Sequence, residues 1–396
     1  MDRRGFLKRS AIASGTVLLP QFLSAFELAP SVISGHKKLV IVQLSGGNDG
    51  LNSIVPYRND IYFRERPKIA VSSNDIIKAT DDLGFHSSLK EIKELYDAGE
   101  VTIVNNVGYP NPNRSHFRST DIWHTASSSD EYLTSGWLGR YIENFGRFPH
   151  AGIEVDDSLS LIMKGKNVNG IATQNAQLMH RNMKKPFFNE VINQQTDEHL
   201  SEHNLGYLYK TLTAAKSSAK YLDEKTKTFN SKQEYPDNPF AKQLKTTARF
   251  INSNAMTSVY YVSMGGFDTH ANQNNRQSRL LETYSSSMGA FINDLKKSDT
   301  FKDTVVMVFS EFGRRVAQNS SQGTDHGTAN QVYIIGEKLA KPGFFNNAPD
   351  LSQLDQNGDL KYQVDFREIY ATLLDKWLEV DDQVILNKNF SKLQLV

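Results

Sequence analysis

Acidic and imidazole side chains lie beside several buried, strand-like segments of this sequence. They are Asp49 in SGGNDG, Asp268 and His270 in GGFDTH, Glu311 in SEFGR, and Asp325 and His326 in DHGT. Like charges that crowd together cost several kcal/mol unless a cation neutralises them. Carboxylate oxygens and imidazole nitrogens are the ligands that divalent metals take in proteins. If these turns meet in the fold, they predict a metal site.

Each of these residues also has an ordinary alternative role. Asp49 could cap a helix or serve a turn. Glu311 could pair with Arg314 or Arg315, and the DHGT segment (325–328) could form a surface turn. It is the common placement of these residues beside strands that favours the metal site.

The hydroxyl of Ser115, in the segment NRSHFRS, is a second candidate for chemistry. A helix is predicted to begin near Ser115 or His116, and free backbone N–H groups at a helix start stabilise alkoxides and bind oxyanions. Arg114 and Arg118 could add positive charge for a phosphate or a sulfate. The alternative is that Ser115 only caps the helix.

Continuous hydrophobic segments predict buried strands at residues 39–44, 101–108, 258–266, 304–310 and 331–336. Such runs are typical of strands that are covered on both faces. Helical patterns separate them, notably at 87–99 and 278–298, so the predicted fold class is α/β, with a mostly parallel sheet sandwiched by helices. Ligands of such sheets bind outside the carboxyl ends of the strands. In a parallel sheet, the turns described above would share that edge.

Three further regions of the chain have distinct sequence patterns. Residues 172–245 are rich in Asn, Gln, Lys and Ser, and they predict either a helical insertion or ordinary crossover helices. The segment DQNGDL (355–360) spaces its acids like a calcium loop, but it lacks the glycine and the final glutamate of such a loop. A hairpin turn centred on Asn357-Gly358 is predicted there instead. The amphipathic segment 365–378 predicts a closing helix.

The composition excludes several classes of protein. The chain has 396 residues, of which 39% are hydrophobic, and its 45 Lys+Arg against 44 Asp+Glu give a net charge of +1. This balance is unlike that of a disordered chain, and it offers no basic excess for nucleic acid or an anionic membrane. Without cysteine there is no disulfide, thiolate metal site or cysteine nucleophile. The length fits one large domain or two ordinary ones.

The N-terminus predicts export. Arg3 and Arg4 precede an apolar run at 11–26 that contains Gly15 and Pro20, which makes a poor membrane-spanning helix. The arginine pair followed by Gly-Phe-Leu-Lys resembles a twin-arginine signal, which the twin-arginine translocation machinery reads. Residues 1–35 are therefore predicted to be a signal peptide and lead-in, followed by an α/β domain at 36–396. The predicted location is periplasmic or extracellular with no stable membrane span after processing, and an uncleaved anchor is the alternative.

Several segments together resemble one known family. They are LVIVQLSGGNDGLN, NRSHFRSTDIW, GGFDTHANQ, VVMVFSEFGRR, DHGTANQVYIIG and DFREIYATLLDKWL, after the twin-arginine start. In this order they resemble the domain-of-unknown-function 1501 family over essentially the whole mature chain. That family is similar in fold to the alkaline phosphatase and sulfatase superfamily. The resemblance therefore implies an alkaline-phosphatase-like α/β fold.

The resemblance also implies roles for individual residues. Asp49 matches the superfamily's metal ligand after the first strand. Ser115 matches its nucleophile at a helix start after the second strand. Asp268 and His270 resemble its Asp…His ligand pair, although the spacing is shorter than usual, so that Asn272 is the alternative second ligand.

One matched pair departs from the superfamily pattern. An expected Asp-His pair falls on Glu311-Phe312, so a carboxylate is kept and an imidazole is lost. His326 matches the last histidine before the final strand, and Asp325 could restore the missing ligand. The implied cofactor is one or more divalent ions among Zn, Mn, Mg and Ca, and an oxygen-rich site favours the last three. The formylglycine motif of sulfatases is absent after Ser115.

The leading hypothesis is an exported, metal-dependent hydrolase of phosphate rather than sulfate esters, with Ser115 as nucleophile. Arg114, Arg118 or Arg314 would stabilise the ester oxygens of an anionic small molecule or glycan ester. One alternative is a non-catalytic exported protein that binds a glycan or a surface polymer on a decayed phosphatase fold. Another is a metal-dependent mutase or transferase, in which an alcohol replaces water.

Overall fold

Strands from distant parts of the chain meet in one large sheet. The computed structural model describes residues 37–146, 148–188, 203–229 and 231–396, and the predicted signal at 1–35 lies outside the described residues. The strands are β1 (Lys38–Leu44), β2 (Ile54–Val55), β3 (Ile76–Lys78), β4 (Gly84–His86), β5 (Val101–Gly108), β6 (Gly152–Glu154), β7 (Ile171–Ala172), β8 (Val259–Met264), β9 (Thr304–Phe309), β10 (Asn330–Ile335), β11 (Gly343–Phe344) and β12 (Val364–Asp365). The nine-stranded sheet has the order β11-β5-β10-β9-β1-β8-β6-β7, with β12 beside β5, and β2, β4 and β3 form a small second sheet.

Most pairings in the large sheet are parallel, as the sequence predicts. β1 is parallel to β8 and β9, β6 is parallel to β8 and β7, and β5 is parallel to β11 and β12. The exception is β10, which runs antiparallel to both β5 and β9. The beginning of β10 therefore lies at the same edge as the carboxyl ends of β1, β5, β8 and β9. The strands predicted from hydrophobic runs are β1, β5, β8, β9 and β10, and all five are confirmed.

Helices account for most of the remaining regular structure. They are α1 (Gly50–Ser53), α2 (Asp60–Glu65), α3 (Lys90–Asp97), α4 (His116–Thr125), α5 (Trp137–Tyr141), α6 (Ala176–Met183), α7 (His203–Thr226), α8 (Pro239–Asn252), α9 (Gln273–Lys297), α10 (Phe366–Thr372) and α11 (Asp382–Leu386). π-Helical turns at Ile142–Gly146 and Leu373–Trp377 continue α5 and α10. Within the described ranges, no helix combines the length and the apolar character needed to cross a bilayer.

Both faces of the large sheet are covered by helices. Along β1, Val40 and Val42 pack into one hydrophobic cluster, whereas Leu39 and Ile41 pack into another. The first cluster includes apolar side chains of α3, α8 and α9, and the second includes those of α4, α5 and α10. Because neither face of the strand meets water, residues 39–42 of β1 are all hydrophobic. The predicted sandwich of helices around a mostly parallel sheet is confirmed.

Helices α6, α7 and α8 begin in the region 172–245, where the sequence leaves two interpretations open. Helix α8 contacts β8 and α9, so it belongs to the layer that covers the sheet. Helix α7 packs chiefly against α6. Residues 189–202 and 230 lie outside the described residues. The domain division, with a helical insertion at 172–245, stays a prediction.

The hairpin turn predicted near the C-terminus is confirmed. Leu354 and Leu360 form an antiparallel bridge, and Gly358 between them has a φ of +79°. The side-chain Oδ1 of Asp355 accepts the Asn357 N–H at 2.8 Å, which closes the turn. The closing helix predicted at 365–378 is α10 with its π-helical continuation.

Candidate active site

Three imidazoles surround the carboxylate of Asp268 at the carboxyl edge of the sheet. Asp268 Oδ1 lies 3.0 Å from His270 Nε2 and 3.3 Å from His326 Nε2. His116 Nε2 is 3.5 Å from the same oxygen, and ligand atoms of His116, Asp268 and His326 all lie within 4.8 Å of one another. Ligand atoms around a tetrahedral zinc are about 3.3 Å apart, because each bond is about 2.0 Å long. We call His116, Asp268, His270 and His326 the His–Asp cluster, and within it the ligand atoms of His116, Asp268 and His326 lie close enough together to hold one ion.

Separate turns of the chain bring the His–Asp cluster together. Asp268 and His270 follow β8, and His116 is the first residue of α4. His326 precedes β10 and forms an antiparallel bridge with Arg314. It reaches this edge because β10 is antiparallel, so that the start of this strand meets the ends of its neighbours. Had β10 been parallel, a residue before it would lie at the opposite edge.

The His116 ring is held by a buried carboxylate. Its Nδ1 lies 2.8 Å from Glu311 Oε1, and a carboxylate only accepts, so Nδ1 carries the proton. The hydrogen bond to Glu311 raises the pKa of His116, against the opposing effect of burial. The other ring nitrogen, Nε2, is buried and has no hydrogen-bond partner among the residues that the structure describes. An unpartnered imidazole nitrogen beside a carboxylate fits a metal ligand.

The apolar ring of Phe312 packs against two of the imidazoles. Its buried ring has its centroid 4.8 Å from that of His116 and 4.7 Å from that of His326. The resemblance implies an imidazole at position 312, and the structure instead packs the imidazole of His116 against Phe312. Reasoning from the sequence missed His116 as a site residue. The available signal was its place directly after Ser115, at the predicted helix start.

Arg314 neutralises Asp268 from inside the fold. Its Nη2 donates to Asp268 Oδ1 at 2.7 Å and to the Phe267 carbonyl at 3.1 Å. Its Nε and Nη1 donate to the carbonyls of Gly47 and Thr324 at 2.6 and 2.9 Å. Burial acts to raise the pKa of Asp268, but the hydrogen bond and charge of Arg314, with the neighbouring histidines, lower it to about 2. The sequence predicts that Arg314 contacts ester oxygens, whereas here its donors bind Asp268 and loop carbonyls.

Outer hydrogen bonds orient the other two imidazoles. His326 Nδ1 lies 2.8 Å from the Arg114 carbonyl, so Nδ1 is the proton donor, and Nε2 faces His270 Nε2 at 2.9 Å. Burial lowers the pKa of His326, which favours the neutral ring. Asp325 Oδ1 lies 3.3 Å from His270 Nδ1 and accepts Asn319 Nδ2 at 3.0 Å. The hydrogen bond from Asn319 lowers the pKa of Asp325. Asp325 thus contacts the ring nitrogen of His270 that does not face Asp268.

Two carboxylates that the sequence predicts as ligands lie in the interior and outside the His–Asp cluster. Asp49 Oδ2 is 2.7 Å from Arg66 Nη1, and it also accepts an N–H of Gln273. Glu311 Oε1 accepts the Gly46 N–H at 2.8 Å besides its contact with the cluster. Both acids therefore have protein donors as partners.

Ser115 borders the His–Asp cluster at the start of α4. It is the exposed N-cap residue of this helix, and its side chain accepts none of the helix N–H groups. Its two neighbours in sequence are both held at the cluster, since the Arg114 carbonyl bonds His326 and His116 is a cluster member. The guanidinium of Arg114 pairs with the buried carboxylate of Asp359.

Arg118 lies one turn further along α4 and faces a loop. Its Nη2 donates to the carbonyls of Ser128, Ser129 and Glu131 at 3.2, 2.9 and 2.6 Å. The guanidinium also stacks on the ring of Tyr132, 3.8 Å from its centroid. The sequence predicts an anion contact for Arg118, and the structure gives it these loop contacts.

Solved structures with a similar fold share little sequence with this chain, and no curated protein matches it significantly. The C-terminal periplasmic domain of EcEptC from Escherichia coli, in complex with Zn, is 12% identical with a TM-score of 0.36, over 78% of this chain and 76% of that one. The PsFucS1 sulfatase from Pseudoalteromonas sp. is 10% identical with a TM-score of 0.40, over 90% of this chain and 70% of that one. A protein in the alkaline phosphatase superfamily from Vibrio parahaemolyticus is 10% identical with a TM-score of 0.38, over 96% and 81% of the two chains.

The family comparison is more specific. The family described as "Protein of unknown function (DUF1501)" matches residues 36–389, a range that includes the large sheet and the whole His–Asp cluster. The chain therefore belongs to the DUF1501 family.

Proposed function

We propose that this protein is a metal-dependent hydrolase of phosphate esters, and secondarily of sulfate esters, with the His–Asp cluster as its metal site. The observation that carries the proposal is the buried, unpartnered Nε2 of His116, which lies 3.5 Å from the Asp268 carboxylate. A buried nitrogen without a partner has lost the hydrogen bond that water would give it. A cation bound to both groups would remove that cost.

The donor set of the His–Asp cluster favours particular metals. Three imidazole nitrogens and one carboxylate oxygen suit zinc, and imidazole also suits other transition metals, whereas Mg and Ca prefer oxygen. This set is richer in nitrogen than the one predicted from the sequence, because His116 is included and Asp49 and Glu311 are not. His116 and His326 each bond an acceptor through Nδ1, as metal-binding histidines usually do. We propose zinc as the preferred ion, with Mn as the alternative.

The start of α4 offers a nucleophile next to this site. A bound divalent ion would neutralise ester oxygens and lower the pKa of a nearby hydroxyl. We propose Ser115 as that hydroxyl, because it is exposed and makes no capping bond. Its oxygen would attack the phosphorus and form a seryl ester, while the bond to the alcohol breaks and the hydroxyl proton goes to the leaving alcohol. Water would then hydrolyse the seryl ester and restore Ser115. Backbone N–H groups of the first turn of α4 would hold the ester oxygens.

The proposed substrate is an anionic ester, either a small molecule or a glycan, that the protein meets outside the cytoplasm. The basic and apolar N-terminal pattern, with Arg3 and Arg4, supports export through the twin-arginine machinery. Replacing both arginines by lysine should leave the protein in the cytoplasm, and fractionation of cells that express the full chain would show this. Unchanged export of that variant would exclude the twin-arginine route.

The hydrolase proposal can be tested on the full-length protein. The metal content of the protein purified from its native compartment is measured first, and hydrolysis of phosphomonoesters, phosphodiesters and sulfate esters is then assayed with Zn and Mn. Ser115→Ala should abolish turnover while the metal stays bound. Ser73→Ala changes an exposed serine in the 3₁₀ turn before β3 and is the matched control, with full activity expected.

Two results would contradict the proposal. One is the absence of a divalent ion from the purified protein together with undiminished activity of Ser115→Ala. The other is stoichiometric metal binding without turnover of any ester in the panel. The second result would favour the non-catalytic alternative, an exported protein that binds a glycan or surface polymer.

A further inference from the structure

We propose that Glu311 is a positioning residue: its buried carboxylate holds the His116 imidazole so that Nε2 faces the metal position beside Asp268. This role presupposes the metal site of the proposed function. It differs from the direct metal contact that the sequence predicts for Glu311.

Both carboxylate oxygens of Glu311 already have partners inside the fold. Oε1 accepts the Gly46 N–H at 2.8 Å and lies 2.8 Å from His116 Nδ1. Oε2 lies 3.4 Å from Gln43 Nε2 and 3.4 Å from Ser310 Oγ. The side chain is only 1% exposed, so its carboxylate is bonded by these protein donors and hardly contacts solvent. Glu311 is thereby fixed as an acceptor within the interior.

The His116 ring has one free nitrogen as a result. A carboxylate that takes the Nδ1 proton fixes the tautomer of the ring and leaves the lone pair on Nε2. The ring is also packed against Phe312, with centroids 4.8 Å apart, which limits its rotation. Nε2 therefore stays 3.5 Å from Asp268 Oδ1, at the spacing of two ligands of one ion.

Glu311 also holds the helix that carries the ring. Its backbone carbonyl accepts the hydroxyl of Ser119 at 2.6 Å, and Ser119 lies three residues after His116 on α4. The side chain and the backbone carbonyl of Glu311 therefore both bond residues in the first turn of α4. The same contacts fix the position of Ser115, the N-cap residue directly before His116.

Asp268 shows how a direct ligand differs from Glu311. Its side chain is 45% exposed, and its Oδ1 faces three imidazole nitrogens. Among the described residues, Glu311 contacts one imidazole, that of His116, at the nitrogen that carries the proton. Asp268 would therefore contact a bound ion directly, whereas Glu311 would act through the His116 ring.

Metal titration of the full chain separates these two roles. The protein is stripped with a chelator and titrated with Zn²⁺ and with Co²⁺, whose visible absorption reports tetrahedral coordination. Glu311→Gln should weaken metal affinity by about 10- to 100-fold, with the stoichiometry and the Co²⁺ spectrum unchanged, because the ligands remain. Asp268→Asn should lose more affinity and alter the spectrum. Glu154→Gln is the matched control, since Glu154 is a buried glutamate of β6 bonded to Ser160, and it should bind metal like the wild type.

Two outcomes of the titration would overturn the positioning role. If Glu311→Gln alters the Co²⁺ spectrum as Asp268→Asn does, Glu311 is itself a ligand. If Glu311→Gln binds metal as tightly as Glu154→Gln, the Glu311 carboxylate does not contribute to metal affinity.

The tautomer of His116 gives a readout that needs no metal and no variant. Nitrogen-15 NMR of metal-free wild-type protein should show His116 protonated at Nδ1, and the opposite tautomer would overturn the proposal even if Glu311→Gln does not fold. Failure of the wild type to bind any metal would overturn the proposed function instead. In that case, the tautomer alone decides whether Glu311 holds the ring.

Discussion

Asp49 and Arg66 form an ion pair of 2.7 Å in the interior, with neither side chain more than 1% exposed. Arg66 Nε and Nη2 bind the carbonyls of Val316 and Arg315, each at 2.9 Å, so the guanidinium is engaged on all sides. Asp49 thus has an internal cation as its partner. Removing one member of such a pair leaves an uncompensated buried charge, which costs about 3–5 kcal/mol.

Arg66→Met should therefore lower the free energy of unfolding by about 3–5 kcal/mol, as measured by urea denaturation. The metal stoichiometry of the folded variant should not change, because Arg66 and Asp49 lie outside the His–Asp cluster. Arg64→Met is the control, since Arg64 forms an exposed pair with Glu65 and its loss should cost under about 1 kcal/mol. An Asp49→Asn variant that loses its metal and keeps its stability would instead make Asp49 a ligand.

Ser115→Ala should abolish ester hydrolysis and leave stability almost unchanged. An N-cap serine that bonds a helix N–H contributes about 1 kcal/mol, but the Ser115 side chain makes no such bond. Asn238 caps α8 by accepting the Ala241 N–H at 2.8 Å, so Asn238→Ala should show the full capping cost. Thermal unfolding and turnover are measured on both variants. A loss of stability in Ser115→Ala equal to that in Asn238→Ala, with turnover intact, would mean that Ser115 is only a cap.

Phe312→His should not add a ligand to the metal site. The Phe312 ring is 3% exposed and packs against His116 and His326, so a polar ring there would be buried without an evident partner. We expect a loss of about 1–3 kcal/mol in unfolding free energy and an unchanged metal stoichiometry. Phe312→Leu, which keeps the site apolar, is the control for packing. A second bound metal and a large gain of phosphatase activity in Phe312→His would instead indicate a decayed two-metal site.

Glu154 gives a pH dependence that is separate from the metal site. Its side chain is 2% exposed, and burial raises its pKa from 4.5 to about 7, although hydrogen bonds from Ser160 act to lower it. Between these two pH values the folded protein binds more protons than the unfolded chain. Stability due to Glu154 is therefore full below about pH 4.5, falls as the pH rises to about 7 and is constant above.

Glu154→Gln should remove this slope. At about 1.4 kcal/mol for each pKa unit, the variant gains up to about 3 kcal/mol over the wild type between pH 4.5 and pH 8. The measurement is the difference in unfolding free energy between the two proteins across that range. Parallel curves for the two proteins would show that Glu154 does not titrate as described.

The sequence was sufficient for the sheet and for part of the site. Each long strand could be predicted because burial on both faces demands an unbroken hydrophobic run, and the residues after these runs had to lie at strand ends. Asp268 and His270 were predicted in this way to lie at the sheet edge, and both follow β8 in the structure. The start of α4 was also predictable, since Asn and Pro end the preceding strand and Ser115 is a favourable N-cap.

What could not be predicted depends on contacts between distant segments. The local hydrophobic pattern of β10 does not show whether the strand is parallel or antiparallel to its neighbours. Its antiparallel direction is what brings His326 to the cluster. The partner of Asp49 is the guanidinium of Arg66, which comes from another loop. The residues next to Asp49 in the sequence give no indication of this ion pair. His116 is a ligand candidate only because Glu311 and Phe312, nearly two hundred residues later, orient its ring.

Arg314 has a consequence for the order of assembly. One buried guanidinium ties the carbonyls of Gly46, Gly47, Phe267 and Thr324 to the carboxylate of Asp268. The loops after β1 and β8 and the segment before β10 are thus fastened to each other by the polypeptide alone. An ion that binds at the proposed site would meet loops that are already held in place, so little chain entropy would be lost on binding. If the proposed metal site is real, the protein could complete its folding first and acquire its metal afterwards.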